Sequence, residues 1–119
     1  MPQVSIIDDD DSLRGALVSL VKSFGYGAQG FDSAEQFLAA GGAAGFDCIV
    51  TDIHMPGLSG IELKQQLSAD HDSTPVIMIT ARSEPALRER AKDSGALCLL
   101  TKPFEASELI ACIEQALAA

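Results

Sequence analysis

Short apolar runs that alternate with amphipathic stretches constrain this chain more than any single residue does. Strand-like runs are expected at Gln3–Ile7, Gly27–Phe31, Asp47–Thr51, Pro75–Ile79 and Ala96–Thr101, each flanked by turn chemistry. Helical signals fill the gaps. The first helix, about Ser12–Phe24, aligns Leu13, Leu17, Leu20, Val21 and Phe24 on one face and stops at Gly25. The second starts at Ser33, with Gln36 completing a capping box, and ends before Gly41-Gly42. Ser59 and Glu62 repeat that device for a third helix running to about Ala69. A fourth opens with Ser83-Glu84-Pro85 and ends at Gly95, and a fifth, about Ala106–Leu117, carries Leu109, Ile110, Ile113 and Leu117 on one stripe. Five strand–helix units of about 24 residues each require right-handed crossovers and a parallel sheet covered on both faces. The expected fold is therefore α/β, a doubly wound five-stranded parallel sheet, as one domain spanning residues 1–119.

Composition narrows the function classes. With hydrophobic residues at 47%, disorder is not expected. A formal net charge of -9 argues against electrostatic capture of nucleic acid by this segment. No apolar stretch reaches the length of roughly 18 residues that a membrane span needs, and no signal-peptide pattern opens the chain. A cytoplasmic location without a membrane partner is expected. Cys48, Cys98 and Cys112 are widely spaced with no C-x-x-C pair, so they read as small buried hydrophobes rather than a zinc site or disulfide framework.

The chemistry lies where the apolar runs end. Asp8-Asp9-Asp10-Asp11 follows the first run, Asp52 the third, Thr80 the fourth, and Lys102-Pro103 the fifth. In an open parallel sheet the carboxyl ends of the strands share one edge, and ligands bind there. Asp10 and Asp11 read as solvated acids at a helix start. Asp8 and Asp9 lie flush against the strand end, where neighbouring carboxylates repel and seek a cation. Oxygen-only ligands without paired histidines favour Mg²⁺ over zinc or copper. Lys102, on a buried strand end, needs an anionic partner. His71 lies in the polar stretch Asp70–Ser73 and is expected to be an ordinary solvated side chain.

Ile7-Asp8-Asp9, Asp52 with Met55-Pro56-Gly57 and Gly60, Thr80-Ala81 and Lys102-Pro103-Phe104 occur together at characteristic intervals. On these motifs the chain resembles response-regulator receiver domains of two-component signalling over essentially its whole length. The resemblance implies a flavodoxin-like sheet of order 2-1-3-4-5. It also implies that Asp52 accepts a phosphoryl group from a sensor histidine kinase or a histidine phosphotransfer protein. Asp9, Asp52 and the backbone carbonyl of His54 would bind Mg²⁺ directly, and Asp8 would hold it through water. Lys102 would pair with Asp52 or a phosphoryl oxygen, and Thr80 would hydrogen-bond the phosphoryl group. By the same resemblance, the fourth helix, fifth strand and fifth helix form the output face. Arg88, Arg90 and Lys92, mixed with Glu84, Glu89 and Asp93, suit a salt-bridged homodimer or a solvated helix face.

Three features depart from the family pattern. Leu99 stands where many relatives carry an aromatic residue that turns inward on activation. The side chains of Arg82 and His54 are placed to overhang the phosphoryl group or to lie solvated at the rim. The chain stops at Ala119 with no DNA-binding domain, so it is either a stand-alone receiver or part of a longer transcriptional regulator. A signalling switch that acts on itself alone, rather than a turnover enzyme, is the leading expectation. The rivals are a Mg²⁺-dependent aspartyl phosphatase, which would need an acid where His54 stands, and a degenerate receiver working only by protein contact.

Overall fold

The computed structural model describes residues 1–82 and 84–118. Strands and helices alternate as β1 (Gln3–Ile7), α1 (Asp11–Ser23), β2 (Gly27–Phe31), α2 (Ala34–Ala39), β3 (Cys48–Asp52), α3 (Gly60–Ala69), β4 (Val76–Thr80), α4 (Pro85–Asp93), β5 (Cys98–Thr101) and α5 (Ala106–Ala118). All strands pair in parallel, in the order β2-β1-β3-β4-β5. This is the doubly wound sheet expected from the alternation of elements. Among the described residues, no helix is long and apolar enough to cross a membrane.

Strand periodicity divides the core in two. Val4, Ile6, Val50, Ile77 and Ile79 face one side, where Leu17 and Val21 of α1 and Leu109 and Ile113 of α5 cover them. Ile7, Ile49, Val76 and Met78 face the other, against Phe37, Leu63 and Leu87 from α2, α3 and α4. Every residue of β3 and β4 is buried, whereas the edge strand β2 buries only Phe31. The two layers bring the carboxyl ends of β1 and β3 side by side, since Ile7 pairs with Thr51.

Several boundaries differ from the sequence expectation. β3 and β4 each begin and end one residue later than their apolar runs, so that Asp52 and Thr80 are strand residues. At the leading end, Asp47 is occupied in a local clasp: its N–H donates to Gln3 O at 2.7 Å and its Oδ2 accepts from Gln3 N at 2.8 Å. At the trailing end the ladder continues through Ile53 N to Ile79 O at 2.9 Å and Lys102 N to Thr80 O at 2.8 Å. Phe24 leaves the α1 stripe; it is the C-cap and 55% exposed. Cys48 is buried, its thiol pushed up to about 12 chiefly by desolvation, but Cys98 and Cys112 are only half-buried.

Helix starts follow the capping signals with one exception. Asp10 Oδ1 accepts from Leu13 N at 3.1 Å, and Ser59 and Glu62 form the full reciprocal box, at 3.1 and 3.0 Å. Ser33 caps α2 through Gln36 N at 3.0 Å. The Gln36 side chain, however, accepts from Asp32 N at 2.9 Å, which leaves that box one-sided. α4 begins with Pro85 in its first turn and Glu84 as an N-cap without a side-chain bond; Ser83 lies outside the described residues.

Three helices close with the same backbone device, in which a left-handed residue lets the next N–H reach back to the last turn. Gly41 (φ 118) and Gly95 (φ 95) take that place after α2 and α4, and His71 (φ 60) takes it after α3. There Asp72 N donates to Leu67 O at 2.8 Å and His71 N to Ser68 O at 3.1 Å. A side chain in this conformation costs about 1–2 kcal/mol, so His71 is not an ordinary polar-loop residue. His71→Gly should stabilise the fold by about 0.5–1 kcal/mol after the added unfolded-state entropy is subtracted. Thermal denaturation should register a rise of roughly 2–4 °C; an unchanged or lower midpoint would contradict the assignment.

Candidate functional site

The carboxyl edge of the sheet gathers the charged strand ends. Carboxylate oxygens of Asp8, Asp9 and Asp52 lie within 4.8 Å of one another. Asp8 and Asp52 are buried and Asp9 is exposed, so the cluster opens to solvent on one side. Lys102 Nζ stands 3.6 Å from Asp52 Oδ2, a Coulombic contact rather than a close hydrogen bond. The Lys102–Pro103 peptide bond is cis.

Local backbone chemistry aims each group. Asp8 continues the β1 ladder by donating its N–H to Phe31 O at 3.1 Å, while its Oδ1 accepts from Asp10 N at 2.9 Å. Its other oxygen, Oδ2, is buried with no hydrogen-bond partner among the described residues. Asp52 Oδ1 accepts from His54 N at 3.2 Å, which turns the following loop back over the carboxylate. Gly60 lets α3 start directly behind that loop: a Cβ there would lie 2.5 Å from the Asp52 carbonyl oxygen. Thr80 is fully buried, and its Oγ1 accepts from Arg82 N at 3.0 Å.

The sequence-predicted residues separate into two groups. Asp8, Asp9, Asp52 and Lys102 come together directly, and Thr80 ends the strand beside Asp52's own. The His54 side chain is exposed, and among the described residues it is the backbone N–H of His54 that hydrogen-bonds Asp52. The Arg82 guanidinium is 62% exposed and lies 4.0 Å from Glu84 Oε1, an ion pair at the rim. Leu99 is half-buried on the α4 side of β5, where Arg88 Nη1 donates to Thr101 Oγ1 at 3.3 Å.

Sequence reasoning overlooked Arg14. Its guanidinium donates to the Asp8 carbonyl at 2.8 Å and to Asp11 Oδ1 at 2.6 Å, pinning the acidic corner to α1. The spacing of Asp11 and Arg14, three apart on a helix, was the available signal.

The electrostatics are unbalanced. Burial holds the Asp8 carboxyl above the usual carboxylate range; the Asp10 N–H opposes this, Asp52 and Asp9 reinforce it, and Lys102 opposes it. One ammonium faces three carboxylates. A partnerless buried oxygen among hard donors is what a divalent cation with oxygen ligands would satisfy, so the residues fit such an ion.

The family model described as the response regulator receiver domain matches residues 4–114. The chain belongs to the response-regulator receiver family. The transcriptional regulatory protein FixJ of Bradyrhizobium diazoefficiens is 40% identical over 114 residues, covering 96% of this chain and 56% of FixJ. The response regulator StyR superposes with a TM-score of 0.90 at 42% identity, over 98% of this chain and 59% of that one. Chemotaxis protein CheY4 of Vibrio cholerae superposes with a TM-score of 0.86 at 27% identity, over 98% of both chains. The chain thus spans little more than half the length of FixJ and StyR. Receiver domains of two-component systems receive a phosphoryl group from a kinase and are signalling modules rather than classical enzymes.

The pH dependence of the metal-free receiver follows from Asp8. Its folded-state pKa is raised above the unfolded value of 3.8, so the protonated form favours the fold. Its contribution therefore declines as pH rises from that unfolded value through the raised folded one. With chelator present, Asp8→Asn should flatten that part of the stability–pH profile. The variant should also be more stable than wild type at neutral pH, since it removes a buried negative charge that faces Asp52 and Asp9. Identical pH slopes for wild type and variant in thermal denaturation would refute this.

Proposed function

We propose that Asp52 is the phospho-acceptor, that Mg²⁺ is its cofactor, and that the donor is a phosphohistidine on a sensor histidine kinase or a histidine phosphotransfer protein. The observation that carries this reading is the convergence of one ammonium and three carboxylates, one of which has a buried oxygen without a partner among the described residues, on a single solvent-facing corner. Asp9, Asp52 and the backbone carbonyl of His54 would hold the metal directly, and Asp8 would act through water. The ion, when bound, neutralises phosphoryl oxygens and the surrounding carboxylates.

The chain's own groups account for the rest of the transfer. A carboxylate oxygen of Asp52 forms a bond to phosphorus as the phosphorus–nitrogen bond to the donor imidazole breaks, and the electron pair returns to that ring. The His54 N–H holds Asp52 Oδ1 in place, at 3.2 Å, so the nucleophile is oriented before the donor arrives. Lys102, now 3.6 Å from Asp52 Oδ2, shifts its charge to a phosphoryl oxygen as negative charge moves outward. Thr80 offers a buried hydroxyl whose oxygen already accepts from Arg82 N, leaving its proton free to donate to the phosphoryl group. The receiver catalyses only its own phosphorylation and dephosphorylation. We further propose a cytoplasmic location and a transcriptional output, the role of FixJ, with α4, β5 and α5 as the responding face and a phosphorylation-dependent homodimer as its product. This domain itself grips no nucleic acid.

Acetyl phosphate with Mg²⁺ should label the wild type stoichiometrically, and Asp52→Asn should abolish the label; persistent labelling of the variant by intact mass would refute the assignment. Mg²⁺ alone should raise the melting temperature. Tenfold above its dissociation constant it contributes about 1.4 kcal/mol, roughly 4–6 °C for a domain of this size. Beryllofluoride added with Mg²⁺ should then shift sedimentation toward a dimer. No thermal shift across millimolar Mg²⁺ would count against the site, and an unchanged sedimentation coefficient against the dimer.

A further inference from the structure

The loop from Asp52 to α3, residues 53–59, is tied at its two ends by groups next to it. His54 N donates to Asp52 Oδ1 at 3.2 Å, Gly60 N to Ile53 O at 3.1 Å, and Ser59 N to Glu62 Oε1 at 3.0 Å. The middle of the loop is different. Apart from Ile53 N, which donates to Ile79 O of β4 at 2.9 Å, the loop's one hydrogen bond to another element among the described residues comes from α2: Glu35 Oε2 accepts from Leu58 N at 2.9 Å across 23 residues of sequence.

Gly57 makes that contact possible and also makes it necessary. Its φ is +76, where side chains are strained, and a Cβ there would overlap the Glu35 carboxylate. The glycine thus opens both the turn and the space into which Glu35 reaches. Glycine also leaves the chain with the most backbone freedom of any residue. Pro56 before it locks one φ, so the swivel of the loop is concentrated at a single residue. The Glu35 bond closes on the very next N–H and removes that swivel.

Glu35 delivers its carboxylate from a well-anchored place. It lies in the first turn of α2, between the buried Ala34 and Phe37. Phe37 packs edge-on to Phe31 with ring centroids 5.4 Å apart and against Phe46 at 6.1 Å. Ser33 caps the helix from the other side. The clamp therefore transfers the position of a packed element to a loop that has little structure of its own.

We propose that Glu35 is a positioning residue for the metal and phosphoryl site: by holding the Leu58 N–H it sets the path of the loop and the direction of the His54 carbonyl. This rests on the reading above, in which that carbonyl is a metal ligand. Because Glu35 is exposed, its bond adds little to global stability, and the effect appears in the site rather than in the melting temperature.

Mg²⁺ binding to the full chain by calorimetry tests this, together with hydrogen exchange of the Leu58 amide in the metal-free protein. Glu35→Ala should weaken Mg²⁺ binding by about tenfold, the lower end of the effect for groups that orient metal ligands. Leu58 exchange should accelerate, with the thermal midpoint nearly unchanged. Glu35→Gln keeps the acceptor oxygen but loses the charge, and should restore most of the affinity. Wild-type affinity in Glu35→Ala, or a Glu35→Gln variant as weak as the alanine, overturns the proposal while leaving Asp52 as phospho-acceptor. A wild type that neither binds Mg²⁺ nor takes label at Asp52 overturns the parent reading and this one with it.

Discussion

Repulsion among Asp8, Asp9 and Asp52, only partly answered by Lys102, is the interaction around which this receiver is organised. Two charged carboxylates with oxygens within 4.8 Å of each other repel by roughly 3 kcal/mol or more at an effective dielectric constant near 20. A small domain has only about 5–15 kcal/mol of total stability, so such a corner persists only if the remainder of the fold holds it closed. The same excess of negative charge suits the corner to a cation.

The scaffold meets that demand with backbone bonds rather than side-chain pairs. β1 and β3 are central strands, packed on both faces, and their pairing through Ile7 and Thr51 fixes where the acids must emerge. Arg14 clamps the Asp8 carbonyl from α1, and Gly60 allows α3 to close against the Asp52 backbone. On the opposite flank, β5 presents Leu99 rather than an aromatic ring, and the neighbouring Thr101 is engaged by Arg88 of α4. Any rearrangement transmitted across this flank involves a leucine and an arginine–threonine bond, not a swinging ring. The loop after β4 hangs on the Thr80 hydroxyl through Arg82 N, which ties it to the end of the strand paired with β3.

Much of the architecture was legible because its signals are local. Apolar runs with turn residues at their ends identify strands, and the Ser59–Glu62 pair identifies a helix start; both depend on residues within a few positions of one another. The same locality explains the misses. Gln36 has two nearby N–H groups to choose from, and spacing does not say that Asp32 wins over Ser33. Phe24 fits the helical stripe, yet the helix has already ended when it is reached. His71 adopts a left-handed conformation usually left to glycine, because the Leu67 and Ser68 carbonyls need donors.

By itself the sequence determined the alternating α/β order, the two-sided core and the residue types at the strand ends, since periodicity and turn chemistry act along the chain. Only the tertiary structure decided that Asp8 keeps an oxygen without a partner among the described residues, and that Arg14 and Glu35 clamp the corner and its loop. Those facts depend on distances between elements far apart in sequence, which no local pattern encodes. They arise when the packing of two helix layers on one sheet fixes every strand end at once.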